Sequence, residues 1–258
     1  MALITLLTDF GYKDPYVAGL KAKILSFDQS INIVDISHDV QKFHIQEASF
    51  ILNNIFREFP NDTVHLIGVE LALETCNFVI VKGEGALFVL PDNGILSMIK
   101  GFRATQVVKI TIEKKSSAIM NDYLVDVACG LAQGRDPLSY GQEVDEMAKA
   151  FAAEIKITED RIIGNVVYVD SYGSLITDLS KSVIESTAGG RSFEVKVVRE
   201  YIKKISEDYK YKEASVIAIY NTRGYLEIAI TGANPSKLLG VRCGDLVQVL
   251  FKPKQSLL

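Results

Sequence analysis

Three acidic residues fall where apolar runs end. Leu3–Leu7 is apolar and is followed by Thr8, Asp9, Phe10 and Gly11, with a second acid at Asp14. Ile31–Ile36 closes on Asp35-Ile36-Ser37-His38, and Thr63–Val69 closes on Glu70. In an open parallel sheet, ligands sit beyond the carboxyl ends of the strands. A carboxylate at such an end can accept two hydroxyl protons, as from a sugar diol, and Asp9 is the residue best placed for that. Glu70 matches it topologically, so the two acids can face one crevice; the other reading is a solvated acid at the start of a loop. Asp14 has two readings, a helix cap followed by Pro15 at the first helical position or a second functional acid. Asp9-Phe10-Gly11 is not a kinase motif, because no glycine-rich loop, strand lysine or catalytic-loop signature accompanies it.

The second half offers two polar corners. One holds Asp170, Tyr172 and Ser174 around Gly173; the other holds Asn221, Thr222, Arg223 and Glu227. Both read first as hairpin corners and second as a recognition edge. Arg223 can pair with a carboxylate through two parallel hydrogen bonds, and Asp170 can accept from an ammonium, which together suit an amino-acid end. His38, His44 and His65 are not spaced as metal ligands, and His38 reads as a loop-holding residue before a titrating one. Asp92-Asn93-Gly94 is a turn signal. No serine or cysteine carries a nucleophile signature, and no phosphate-binding glycine loop is present.

Elements able to position these residues follow from periodicity. The first half alternates: strand Ile4–Thr8, helix Asp14–Ser26, strand Ile31–Ile36, helix Ile45–Phe59 and strand Thr63–Val69, which implies a parallel sheet flanked by helices. Phe78–Lys82 and Ala86–Leu90 read as a hairpin through Gly83–Gly85. A short helix follows the Gly94 turn, then a strand at Val107–Ile112 and a helix at Asp122–Gln133 closed by Gly134. Arg161–Val169, Leu175–Leu179, Phe193–Val198, Val216–Tyr220, Tyr225–Ile230 and Asp245–Phe251 are short strands separated by glycines, the pattern of a small barrel or sandwich. The expectation is an α/β N-terminal domain with a mainly parallel sheet over residues 1–138, a linker over 139–160, and an all-β C-terminal domain over 161–258.

Composition sets the bounds. The chain has 258 residues, 48% of them hydrophobic, enough for one large core or two modest ones. A net charge of −4 with dispersed Lys and Arg leaves no footprint for nucleic acid. No stretch reaches the roughly 18 apolar residues of a membrane helix, and no secretory leader is apparent. Three distant cysteines, Cys76, Cys129 and Cys243, form neither a disulfide framework nor a metal set, which fits a reducing cytoplasm.

Taken together, LLTDFGYKDPYVAGLKAKI, NIVDISHDV, FPNDTVHLIGV, LPDNGILSMI, VVYVDSYGSLIT and YNTRGYLEIAITGANPSKLLGVRCGD are more specific than any one of them. Their order and spacing resemble the S-adenosylmethionine hydroxide adenosyltransferases, relatives of the fluorinases and chlorinases, over essentially the whole chain. The resemblance implies that Asp9 binds the ribose hydroxyls of S-adenosylmethionine, that Asp14 is mainly structural, and that Phe43 lies near the ligand. It also implies that Asp170 and Arg223, with Thr222 beside it, hold the methionine ends, while Tyr172 and Ser174 lie near the adenine. It further implies a homotrimer with sites between subunits, S-adenosylmethionine or adenosine as the small-molecule partner, and no metal or separate cofactor.

The chain also departs from the pattern of its resemblance. Hydrolysing relatives carry Asp-Pro-Gly-Val-Gly-Thr, then an arginine, and later a histidine that helps activate water. Here the first stretch is VELALETCNFV, with Glu70 in place of the aspartate and Asn77 near the arginine; Ile119 takes the histidine's place and Asn121 stands near another arginine. Ser174 replaces an asparagine. Glu70 is the remaining candidate base. The implied activity is hydrolysis of S-adenosylmethionine at ribose C5′; the alternative is a catalytically lapsed binder of S-adenosylmethionine or adenosine on the same fold.

Overall fold

A computed structural model describes residues 2–71, 77–112, 118–151, 154–209 and 215–253; Cys76 lies outside them. The chain divides into two compact units, Met1–Ala152 and Ala153–Leu258. Among the described residues no helix is long and apolar enough to cross a membrane.

Unit 1 runs β1 (Leu3–Thr8), α1 (Tyr16–Phe27), β2 (Asn32–Ser37), α2 (Ile45–Ile55), β3 (Val64–Gly68), β4 (Phe78–Gly83), β5 (Ala86–Pro91), β6 (Ala104–Ile110), α3 (Val125–Ala132) and β7 (Gly141–Glu143). The strands form one sheet in the order β2-β1-β3-β5-β4-β6-β7. β1 pairs in parallel with β2 and β3, and β3 with β5. The β4–β5, β4–β6 and β6–β7 pairings are antiparallel. The sheet is therefore mixed, half of it parallel, and not mainly parallel as the alternating first half suggests.

Side-chain alternation along β1 explains how the sheet is sandwiched. Ile4 and Leu6 face one core with Leu20 and Ile24 of α1 and with Val125 and Ala128 of α3. Leu7 faces the opposite core with Ala48 and Leu52 of α2 and with Phe56. Strands buried on both faces read as continuous apolar runs, and each such side chain contributes about 1.5–3 kcal/mol on burial. α1 starts at Tyr16 after Pro15 without a side-chain cap. The N-cap position is Pro15, so the exposed Asp14 before it does not cap the helix. A π-helical turn, Met120–Leu124, leads into α3. It packs close to β3, where a Cβ on Gly68 would sit 2.8 Å from the Met120 methyl. The first residues of the expected linker belong to this sheet, because β7 pairs with β6.

Unit 2 contains β8 (Lys156–Ile157), β9 (Arg161–Val169), β10 (Leu175–Ser180), α4 (Lys181–Ala188), β11 (Phe193–Val197), β12 (Glu200–Ile202), β13 (Ile205–Ser206), β14 (Val216–Tyr220), β15 (Tyr225–Ile230), α5 (Pro235–Leu239) and β16 (Leu246–Phe251). The order is β12-β11-β16-β9-β10-β15-β14-β13, with β8 added on β9. Ile202 of β12 and Ala218 of β14 share one core with Val166, Leu226 and Val249, so the sheet curls into a nearly closed barrel. Two short helices qualify the all-β expectation. Ser180 caps α4 by accepting from the Val183 N–H, and Gly189 ends it in the left-handed conformation.

Candidate functional site

In unit 1 the carboxyl ends of the parallel strands gather the expected acids. Asp9 follows β1 and is 9% exposed. Its Oδ2 accepts the Phe43 N–H at 2.9 Å and the Glu70 N–H at 3.2 Å. Both donors have positive φ, +63° at Phe43 and +56° at Glu70. Neither residue is glycine, so each conformation costs on the order of 1–2 kcal/mol, which the shared carboxylate offsets. Asp9 is thus the clasp that joins the β2–α2 loop to the loop after β3, and its Oδ1 has no hydrogen bond among the described residues. Phe43 itself is 69% exposed.

The backbone leading into Glu70 is held at two points, its own N–H on Asp9 and the carbonyl before it. The preceding carbonyl, of Val69, accepts from Asn93 Nδ2 at 3.1 Å. Asp92 in the same turn accepts the Ala148 N–H at 2.7 Å. The turn at Asp92-Asn93-Gly94 is structural, as its sequence indicates, and what it holds is the backbone beside Glu70.

His38 belongs to the support of this edge. It is fully buried, with Nδ1 2.7 Å from Thr8 Oγ1. Its Nε2 is 3.2 Å from Asp35 Oδ1 but off the angle of a hydrogen bond. Burial raises the Asp35 carboxyl, but the Lys21 ammonium at 2.6 Å and His38 outweigh it and hold the group below its ordinary range. The His38 carbonyl accepts the Gly11 N–H at 2.7 Å. His44 sits at the N-terminus of α2 and its Nδ1 accepts from the Glu47 N–H.

Ile119 is buried and lines a cavity of about 280 Å³ with Phe10, Tyr16, Leu20, Leu71, Met120 and Asn121. Its walls are mostly apolar, and the Asn121 Oδ1 is buried without a hydrogen bond. Asn77 is exposed, and its carbonyl accepts the Asp92 N–H at 2.8 Å.

Unit 2 carries a larger cavity of about 810 Å³. Asp170, Tyr172 and Ser174 all line it. Asp170 Oδ1 accepts the N–H groups of Tyr172 at 3.0 Å and Ser174 at 2.7 Å, which folds the corner around Gly173. Gly173 has φ +84°, and a Cβ there would collide with the Asn234 side chain, the N-cap of α5. Gly173→Ala is expected to destabilise unit 2 by about 2 kcal/mol, from left-handed strain and overpacking; a chemical denaturation midpoint equal to wild type would refute this.

Thr222 and Arg223 are not among the cavity's lining residues. They occupy the exposed tip between β14 and β15, where Asn221 Oδ1 accepts the N–H groups of Arg223 and Tyr225, each at 3.0 Å. Tyr209 and Glu227 do line the cavity, and the Tyr209 hydroxyl donates to Glu227 Oε1 at 3.2 Å. Tyr209 is not singled out by sequence, and Glu227 is named there only as one member of the second polar corner. The signal for Glu227 is an acid inside the apolar run LEIAI. Among the described residues no group of three His, Cys, Asp or Glu side chains is placed to hold a metal ion.

Strand-end acids on a mixed α/β sheet in one unit, and a cavity lined by Asp170, Ser174 and Glu227 in a barrel-like second unit, are the features of a two-unit protein with room for a small molecule. Residues 4–141 match the N-terminal domain of the S-adenosylmethionine hydroxide adenosyltransferases, and residues 164–248 match their C-terminal domain. The chain belongs to this family. It is 28% identical to an (R)-S-adenosyl-L-methionine hydrolase of Methanocaldococcus jannaschii, covering 96% of both chains. A Thermus thermophilus protein of the same name is 24% identical, over 97% of this chain and all of that one. The crystal structure of an uncharacterized conserved protein from Thermotoga maritima superposes with a TM-score of 0.86 at 25% identity, covering 96% of this chain and 99% of that one.

Proposed function

We propose that the protein hydrolyses S-adenosylmethionine to adenosine and L-methionine. Water forms the new bond to ribose C5′, the C5′–sulfur bond breaks, and its electron pair leaves with methionine as a neutral thioether. The sulfonium is already a good leaving group, so the protein's task is to position the reactants and exclude bulk water. Asp9 takes the ribose hydroxyls with Phe43 beside it. Glu70 orients the water and accepts its proton. Asp170, Thr222 and Arg223 hold the methionine end, and Tyr172 and Ser174 flank the adenine. The reading carries no separate cofactor and no metal, and has a homotrimer in the cytoplasm as the working form.

The observation that carries it is the Glu70 N–H on Asp9 Oδ2 at 3.2 Å, which ties the base to the residue assigned to the ribose. A second reading, ligand binding without turnover, is favoured by one feature: Ile119, which the resemblance sets in the place of a histidine, lines a mostly apolar cavity. Incubation with S-adenosylmethionine, followed by chromatography of adenosine and methionine, separates the two. Turnover is expected, and Glu70→Gln should lower kcat by about a hundredfold or more, the usual scale of a lost general base. Turnover unchanged in the variant removes Glu70 from the mechanism. Absence of product from the wild type, with adenosine still bound, establishes the second reading.

A further inference from the structure

One buried acid in the unit 2 cavity has no part in the assignments above. Glu227 lies on β15 and is 5% exposed, yet it lines the cavity. Burial pushes its carboxyl up, hydrogen bonds from the Ser174 and Tyr209 hydroxyls hold it down, and nearby Asp170 pushes it up again. A carboxylate offers about four acceptor positions. Two hydroxyl donors leave it with capacity for a ligand. Asp170 is less free, because one of its oxygens already serves two backbone N–H groups.

The other walls suit a flat heterocycle. Tyr172 is 79% exposed and Tyr209 is 51% exposed, and both line the same cavity. Aromatic rings of this kind stack on bases, whose edges are then read by polar groups. The polar group here is an acid backed by two hydroxyls already turned toward it, an arrangement that suits the carboxylate form although burial raises the group, and as a carboxylate it only accepts. An acceptor-only wall pairs with an exocyclic amine and opposes a carbonyl.

We infer that Glu227 reads the six-position amine of the bound purine and rejects a carbonyl at that position. This rests on the reading of the ligand as an adenosyl compound and makes Glu227 a specificity-determining residue for it. A Glu227→Gln side chain keeps an acceptor for the amine but can also turn its nitrogen to a carbonyl. The acidic wall discriminates between the two groups, whereas the amide wall does not.

The test is calorimetric binding of adenosine, purine riboside and inosine to the full-length wild type and to Glu227→Gln. The wild type should bind adenosine about tenfold or more tightly than inosine, the scale of one hydrogen bond to a charged group, with purine riboside between them. Glu227→Gln should narrow that ratio to about threefold or less while adenosine still binds, a change that loss of packing alone does not produce. The wild-type series needs no variant to fold: inosine binding as tightly as adenosine, or no nucleoside binding at all, overturns the inference. An unchanged ratio in Glu227→Gln also overturns it. Turnover of S-adenosylmethionine is a separate readout. Selective nucleoside binding without turnover sinks the hydrolase and leaves Glu227 in place; turnover without nucleoside selectivity does the reverse.

Discussion

Asp9→Ala is expected to lose about 3 kcal/mol of stability, because two hydrogen bonds to a charged acceptor disappear together. The donors are the N–H groups of Phe43 and Glu70, both held at positive φ. Without the acceptor, the two loops have less reason to keep strained backbones, so adenosine binding and turnover should vanish with the stability. Asp9→Asn separates the two roles. Its amide oxygen can still accept from the loops, but the charged acceptor for a sugar diol is gone. It should keep most of the stability lost by the alanine variant and weaken adenosine binding about tenfold or more. Denaturant unfolding and calorimetry on the same samples decide the matter. If Asp9→Asn binds adenosine as tightly as wild type, Asp9 is a loop clasp and has no part in holding the ribose.

Acid should weaken unit 1 through His65. This histidine is buried on β3 with Nδ1 2.7 Å from Thr5 Oγ1, stacked on Phe88 at 5.0 Å and edge-on to Phe56 and Phe59. Its Nε2 is buried without a partner. Burial pushes its pKa from 6.5 down to about 4. The unfolded chain therefore takes up a proton at higher pH than the folded chain does. Stability is intact above pH 6.5 and falls as the pH drops toward 4. Each pH unit between those two values costs about 1.4 kcal/mol, so the total loss is about 3 kcal/mol. His65→Phe combined with Thr5→Val removes both partners without stranding either polar group. Stability measured from pH 7 to pH 4 should decline less in that double variant by roughly the same amount. Parallel declines in the two proteins would place the acid sensitivity elsewhere.

The legible parts of the fold are those written in local pattern. Runs such as Ile4–Thr8 and Thr63–Val69 are apolar because the sheet covers them on both faces, and their ends mark Asp9 and Glu70. Strand direction is different, because it depends on which neighbour a strand pairs with. The β4–β5 hairpin is visible in Gly83–Gly85, but nothing local says that β6 and β7 continue the antiparallel half. β7 has only three residues and hides in a polar segment. α4 escapes notice because its stop signal, Gly189-Gly190, also reads as a turn between strands; the Ser180 cap is the clue that favours a helix.

The site divides in the same way. Asp170, Tyr172 and Ser174 cluster in sequence around one glycine, and the cavity gathers all three. Arg223 and Thr222 look equally polar but occupy a hairpin tip and do not line that cavity. Glu227 hides in a strand, and its hydroxyl partner Tyr209 lies 18 residues away. Pairing across that separation is a tertiary fact. Asp9 is legible as a functional acid, but its two-loop clasp is not, because the donors are backbone groups with no signature in side-chain type.

The strand order of unit 2 also bears on how the protein is made. The described strands of the unit 1 sheet are all made once Glu143 has left the ribosome, so their pairing can proceed while synthesis continues. β9 enjoys no such head start. Its neighbours β8 and β10 are made just before and just after it, but its third, β16, comes last, with Leu246 pairing with Asn165. Until Leu246–Phe251 emerges, β9 and β11 both present unmatched edges, because β16 is the strand between them. Exposed edges recruit foreign strands. A nascent chain stalled before Leu246 therefore carries two open edges at once, and only the last strand closes them.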